Sequence, residues 1–347
     1  MKQFIVRTPF SVYMSNLSSR SFPECQATEV WAPNFDEELW NLTNLIQGLG
    51  ACVIAFDVEF PGFFVDSLRG APRDRQYQTL RSNVNLLSPI QIGIAVANHE
   101  GAVVGLWGFN LHFDLLSDLH TGSAVALLND AGLDFACHRC SGVRHAIFRR
   151  RFAELFLPML DAAKPRCQIV TFAGAYDYAY LIKLLHGPSL PETVDGFVSL
   201  VDGLFPCRCE LRDGLPYGSL GSLASEFGVP RSGRAHCAAS DALLTLRLYH
   251  AAFVTDGCAA LLAPHGCVDS FQISSTMFRH PPGLSVAMPY GGLACGSASG
   301  LVPAERNISG RSWAMQARWE ACRGIGKVVP THLWCVAARE AAFACVG

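Results

Sequence analysis

The stretch Ile54-Ala55-Phe56-Asp57-Val58-Glu59-Phe60-Pro61-Gly62 constrains this chain most, because two carboxylates interrupt an apolar run that otherwise has the character of a buried strand. Side chains alternate along a strand, so Asp57 and Glu59 project from one face while Phe56 and Val58 enter a core on the other. Two acids side by side repel, and beside apolar surface they either take up protons or need cations around them. A divalent metal is the economical counter-charge. Such a metal needs further ligands from elsewhere in the chain.

At 347 residues, half of them apolar, the chain can bury a sizeable core in one large domain or two modest ones. Its 14 cysteines are too sparse and too irregularly spaced for a disulfide scaffold, which fits reduced thiols in a cytosolic or nuclear setting. No stretch reaches the ~18 uninterrupted apolar residues of a membrane span, so no membrane partner is expected. The formal net charge of −2 gives no strong overall attraction for nucleic acid, so any RNA binding must be local.

Residues 1–24 carry Lys2, Arg7, Arg20 and several serines around Pro9, and are expected to form a flexible leader. Residues 25–273 hold the periodic patterns of one folded domain. Residues 274–347 turn to Pro, Gly, Ser and Ala with poor periodicity. They are expected to be a low-complexity tail, largely disordered or partner-binding, in which Trp313, Trp319 and Trp334 would find a surface to bury against.

Within the domain, Asn34 is placed to cap a helix whose Leu39, Leu42, Leu45 and Ile46 share a face, with Glu37 three residues on. A strand follows over 52–60, broken by Pro61-Gly62, and then a helix over 77–87. Strands over 90–97 and 102–109 flank the hairpin-type turn Asn98-His99-Glu100-Gly101. Helices are predicted over 123–131 and, in one piece, over 143–160. A short strand over 168–172 precedes a helix opening at Tyr176-Asp177-Tyr178. Further helices are predicted near 194–204, over 220–227 and over 239–253, with a strand candidate around 207–210. The Arg149-Arg150-Arg151 run has the character of a solvated helix face. Cys137, His138, Cys140 and His145 have metal-binding residue types, but they lack the separated pairs of a structural zinc site and are taken as incidental.

Four acids and a histidine now stand in order. Asp57 and Glu59 lie on the first long strand, Asp177 lies at a strand-to-helix junction, and His236 precedes Asp241 by five residues on the approach to the last helix. This order, Asp-x-Glu, Asp, His-x4-Asp, is that of the DEDD exonucleases of the histidine subtype. Longer blocks resemble the Caf-one (Pop-two) family of poly(A)-specific deadenylases. They include Val30-Trp31-Ala32-Pro33-Asn34, Asp57-Val58-Glu59-Phe60-Pro61-Gly62, Ile90-Gln91-Ile92-Gly93, Tyr176 to Leu185 and His236 to Thr245, within a similarity spanning residues 25–255.

The resemblance implies a ribonuclease H-like α/β fold, with a mixed sheet flanked by helices. It also implies two divalent cations, Mg²⁺ or Mn²⁺, held by Asp57, Glu59, Asp177 and Asp241, with His236 as general base. The implied activity is 3′-to-5′ removal of poly(A) from mRNA with release of 5′-AMP, in the cytoplasm and nucleus, as a subunit of the Ccr-four/Not complex. The implied partners are poly(A) RNA, the Not-complex scaffold and a second deadenylase subunit. The chemistry suits these residue types, because carboxylates prefer hard cations and a neutral imidazole can accept a proton from an attacking water.

Three departures from the family pattern stand out, one of them the long tail, which has no family counterpart. Relatives tend to carry Phe-His-Ser-Gly-Tyr-Asp where this chain has Phe172-Ala173-Gly174-Ala175-Tyr176-Asp177, and Cys207-Arg208-Cys209-Glu210-Leu211-Arg212 stands in place of a more Tyr- and Asp-rich segment. A rival reading follows from the altered Phe172–Tyr176 segment and the added tail, a weakly active or inactive scaffold subunit that keeps the fold. A DNA exonuclease of the same superfamily is a third. Because all five site residues precede residue 274, removal of 274–347 should preserve both a cooperative melt and nuclease activity. A truncated chain that loses either would place the tryptophans in the core.

Overall fold

The computed structural model describes residues 23–66, 70–163 and 166–253; the expectations for the leader and for the tail lie outside the described residues, apart from Pro23 and Glu24. Among the described residues a six-stranded sheet runs in the order β1-β4-β3-β2-β5-β6. The strands are β1 (Thr28–Val30), β2 (Cys52–Glu59), β3 (Gln91–Asn98), β4 (Val103–Asn110), β5 (Cys167–Thr171) and β6 (Arg208–Glu210). β2, β3 and β4 form an antiparallel meander, while β1 joins β4, β5 joins β2 and β6 joins β5 in parallel. This is the mixed α/β sheet that the family resemblance implies, with the meander that the sequence pattern anticipates at its centre.

The two faces of the sheet are built differently. On one face Ile54, Phe56 and Val58 of β2 and Ile92, Ile94 and Val96 of β3 join a large core. That core is closed by α1 (Phe35–Gly48), α2 (Arg73–Leu86), α7 (Ala175–His186) and α8 (Val194–Leu204), together with the helical run beginning at His145. On the other face the same strands present Val53 and Ala55, and Ala95 and Ala97, against Ala239, Ala242, Leu243 and Leu246 of one long helix, α11 (Ala238–Phe253). Small side chains on both partners let the helix lie close to the sheet. α10 (Leu220–Glu226) packs outside α11 through Ala224 and Leu244. The remaining helices are α3 (Gly122–Asp130), α4 (Phe135–Ser141), α5 (His145–Arg151), α6 (Leu157–Ala163) and the single turn α9 (Leu211–Gly214).

Three local expectations are corrected. The helix predicted in one piece over 143–160 is instead α5, a π-helical segment at Phe152–Phe156, and α6, with Leu157 N–H bonding to the Phe152 carbonyl five residues back. Pro158 explains the change of register, since it has no N–H for the carbonyl four residues before it. Asn34 does not cap α1: its Oδ1 accepts the Trp31 N–H at 2.8 Å and its Nδ2 donates to the Glu29 carbonyl at 3.0 Å, so it ties the turn back to β1. α2 begins at Arg73, four residues before the apolar pattern makes it visible. Its first turn is polar and therefore silent to periodicity.

Gly93 sets the height of α11 above the sheet. It pairs with Asp57 across β2 and β3, and a Cβ there would overlap the Ala238 carbonyl and the Ala239 nitrogen. Gly93→Ala should therefore lift the start of α11, costing about 1–3 kcal/mol as overpacking usually does. Urea melts would measure this, and a variant as stable as the wild type would show that α11 does not rest on Gly93.

Candidate active site

β2 outruns its parallel neighbour, and this opens the site. Pairing with β5 covers only Cys52–Ala55, so the end of β2 that carries Asp57 and Glu59 has a free edge on that side. Asp177, in the first turn of α7 and buried, fills it: its Oδ1 accepts the Val58 N–H at 3.1 Å. The far end of α7 is fixed as well, where Lys183 Nζ donates to the carbonyls of Val84 and Leu87, each at 2.7 Å, at the C-terminus of α2. Burial lowers the Lys183 pKa to about 8.

Asp57 and Glu59 lie on the α11 face of β2, in line with Val53 and Ala55 and opposite Phe56 and Val58. α11 brings Asp241 over them from its first turn. The loop before α11 turns sharply at His236, whose φ of 61° is left-handed, and the His236 N–H donates to Asp241 Oδ2 at 2.9 Å. Ligand atoms of Glu59, His236 and Asp241 lie within 4.8 Å of one another. Asp57 joins this group electrostatically, because Asp57 and Asp241 raise the Glu59 pKa and Asp241 raises that of Asp57. Burial first, and then Asp57, Glu210 and Glu59, raise Asp177 in turn. The five residues singled out on sequence therefore meet at the end of one strand.

Several residues that the sequence did not reveal hold the site in place. The Ala238 N–H at the start of α11 donates to Gln91 Oε1 at 2.9 Å, Gln91 donates to Asn110 at 2.7 Å, and Asn110 donates to Glu29 at 2.8 Å. This chain, buried at Gln91 and Asn110 and reaching the surface at Glu29, crosses β3, β4 and β1 and fixes the helix start on the sheet. Asn83 of α2 accepts the Phe64 and Val65 N–H groups at 2.8 and 2.9 Å, holding the loop that follows β2. Arg231 pairs with Asp241 and lowers the pKa values of Asp57 and Glu59, so it is the counter-charge that the protein itself supplies. Polar residues inside apolar strands, such as Gln91 and Asn110, were the available signal. Arg231 had none, since it sits in an irregular loop.

By contrast, Cys137, His138, Cys140 and His145 do not converge. His138 Nδ1 bonds to the Leu111 carbonyl at 2.8 Å and His145 Nε2 to the Pro89 carbonyl at 2.9 Å, so both imidazoles pin loops. In the Arg149–Arg151 run, Arg151 pairs with Asp36 at 2.6 Å and with Glu154 at 2.8 Å.

Desolvation is the largest cause raising Asp57, Glu59 and Asp177 well above the usual carboxylate range, with mutual repulsion next. One guanidinium cannot satisfy four carboxylates. An all-oxygen donor set of this charge, beside one imidazole, fits a hard divalent cation such as Mg²⁺ or Mn²⁺.

A carboxylate cluster at the end of a central strand, closed by a helix acid and a loop histidine over a ribonuclease H-like sheet, defines a class: the metal-dependent nucleases of that fold. Comparison with known proteins narrows it. The CAF1 family ribonuclease model matches residues 30–146. The poly(A) ribonuclease pop2 of Schizosaccharomyces pombe is 32% identical over 231 residues, which is 64% of this chain and 67% of that protein. The CCR4-NOT transcription complex subunit 7 of Caenorhabditis elegans is 30% identical over 237 residues, 64% of this chain and 74% of its own length. Among solved structures, S. pombe Pop2p in its Mg²⁺- and Mn²⁺-bound form superposes with a TM-score of 0.58 at 31% identity, covering 65% of this chain and 91% of the other. The chain belongs to the CAF1 ribonuclease family.

The raised acids make a signed prediction for the metal-free protein. Between pH ~4 and the raised values the fold binds more protons than the unfolded chain, so the stability it has in acid is lost as pH rises through those values. In EDTA, the wild type should lose stability with rising pH relative to Asp57→Asn, because the lowered histidines His138, His145 and His186, which act in the opposite sense, are common to both. Asp57→Asn should flatten that slope and melt higher than the wild type at pH 8. Identical slopes for the two proteins would mean that Asp57 is not raised.

Proposed function

We propose that this chain is a 3′-to-5′ exoribonuclease that shortens mRNA poly(A) tails and releases 5′-AMP. The observation that carries this reading is the convergence of Glu59, His236 and Asp241, with Asp57 coupled to them and Asp177 on the adjoining Val58 N–H, in a chain similar to a poly(A) ribonuclease. Asp57, Glu59 and Asp241 would hold one divalent ion, Asp57 would bridge to a second, and Asp177 would hold that one. When bound, Mg²⁺ or Mn²⁺ supplies activation of the attacking water and charge stabilisation of the leaving 3′ oxygen.

The chain's own residues do the rest. His236 accepts the proton of the attacking water. Its backbone N–H, tied to Asp241, keeps the imidazole in register with the acid beside it. Arg231 keeps Asp241 in place from the solvent side, where it is only a quarter exposed.

The C. elegans relative is named as a CCR4-NOT complex subunit, which supports a Not-complex scaffold as a partner in mRNA decay; a second deadenylase subunit is what the family resemblance implies. The location of that work would be the cytoplasm, with the nucleus as a second site. Among the described residues no helix is long and apolar enough to cross a membrane. An inactive scaffold would have no need of four acids kept together against their own repulsion.

Labelled poly(A), mixed-sequence RNA and single-stranded DNA, each with Mg²⁺ or Mn²⁺, separate the readings. Stepwise loss of 5′-AMP from poly(A) is the expected result; no cleavage by the full chain would favour the scaffold, and equal cleavage of DNA would favour a general exonuclease. Asp57→Asn should abolish cleavage even in excess Mn²⁺. His236→Ala leaves the carboxylates in place, so it should still bind metal while losing roughly 10²–10⁴ in rate. A His236→Ala variant as fast as the wild type would remove the base assignment.

A further inference from the structure

Two of the segments in which this chain departs from its family touch each other. β6 lies parallel to β5 with Glu210 beside Thr171, the last residue of β5, and the chain then passes through Phe172–Gly174 into α7. The Glu210 carboxylate accepts from four donors. Oε1 takes the Ala173 N–H at 2.8 Å and the Arg212 N–H at 2.9 Å, while Oε2 takes the Gly174 N–H at 2.9 Å and the Thr171 hydroxyl at 3.1 Å. Arg212 also lies over the Phe172 ring, 5.0 Å from its centroid.

The turn held this way is not one the backbone would choose freely. Ala173 has a φ of 59°, a left-handed conformation that a residue with a Cβ disfavours, so the surroundings must supply its stabilisation. Gly174 is needed beside it, because a Cβ there would press on the Thr171 side chain. Its consequence appears three residues later. α7 starts at Ala175, and its first turn places Asp177 on the Val58 N–H at the open edge of β2. A turn that relaxed would swing the start of α7, and Asp177 would leave that edge.

We propose that Glu210 is the positioning residue for the second metal site, acting through the Ala173–Gly174 turn to aim Asp177 without touching metal or substrate itself. This rests on the assignment of Asp177 as a ligand. Both oxygens are needed, since each serves two donors. A glutamine of the same shape would turn an NH₂ group toward N–H donors and lose half of the cradle. Aspartate keeps the charge and both acceptors on a stem shorter by one methylene, and should preserve part of the effect.

The test is Mn²⁺ binding to the full chain by calorimetry, with a thermal melt of each variant in EDTA to show that it is folded. Wild-type protein should bind two ions. Glu210→Gln should weaken one site about 10–100-fold, as loss of a group that orients a ligand does, and leave the other within about twofold. Asp177→Asn should affect the same site, and Glu210→Asp should fall between glutamine and wild type. Two wild-type affinities in folded Glu210→Gln would overturn the proposal. So would equal weakening of both sites in Glu210→Gln and Glu210→Asp, which marks a general loss of structure. Failure of the wild type to bind two ions would overturn the metal assignment itself, and this inference with it.

Discussion

Repulsion among carboxylates at the end of β2 is the constraint on which the rest of the structure depends. Asp57 and Glu59 share a face by the period of the strand, Asp241 is lowered onto them, and Asp177 is pressed against the same edge. Left alone, such a group would separate or take up protons. It stays together because each member is fixed by backbone that serves another purpose. Val58 N–H is freed by the early end of β5, His236 N–H by a left-handed turn, and the start of α11 is held by Gln91.

This arrangement divides stability from function. The sheet's large-residue face, with Phe56, Val58, Ile92 and Ile94, supplies the main core, whereas the face toward α11 is built from small residues and ends in the acids. Removing water from carboxylates costs the metal-free fold, and Arg231 offsets only part of that cost. A cation that binds the folded state and not the unfolded one restores it by mass action. Metal is thus linked to the stability of this end of the sheet as well as to chemistry.

Much of this was legible in the sequence, for identifiable reasons. Strand β2 showed itself through alternation broken by acids, the β3–β4 hairpin through its turn residues, and Asp177, His236 and Asp241 through order and spacing. The described structure brings His236 and Asp241 onto Glu59 and sets Asp177 against the Val58 N–H of the same strand. What was illegible depends on contact between distant segments. The π-helical segment before Pro158 replaces a uniform helix that periodicity could not distinguish, and the polar first turn of α2 carried no apolar signal. Gly93 looked like any strand glycine until α11 was seen resting on it. Glu210 was visible only as an unusual residue in an unusual segment, because its meaning lies in the four donors supplied by residues 171–174 and 212.

The anchors of the site also show what each helix acid depends on. Asp177 depends on β2 through Val58, and on β6 through the turn held by Glu210. Asp241 depends on the His236 loop, and its helix depends on β3, β4 and β1 through Gln91, Asn110 and Glu29. Neither Asp177 nor Asp241 is placed by its own element alone, and their anchors are separate sets of hydrogen bonds. A local opening at the start of α7 or of α11 would therefore withdraw one acid at a time, and a bound cation, by tying that acid to its neighbours, resists the opening.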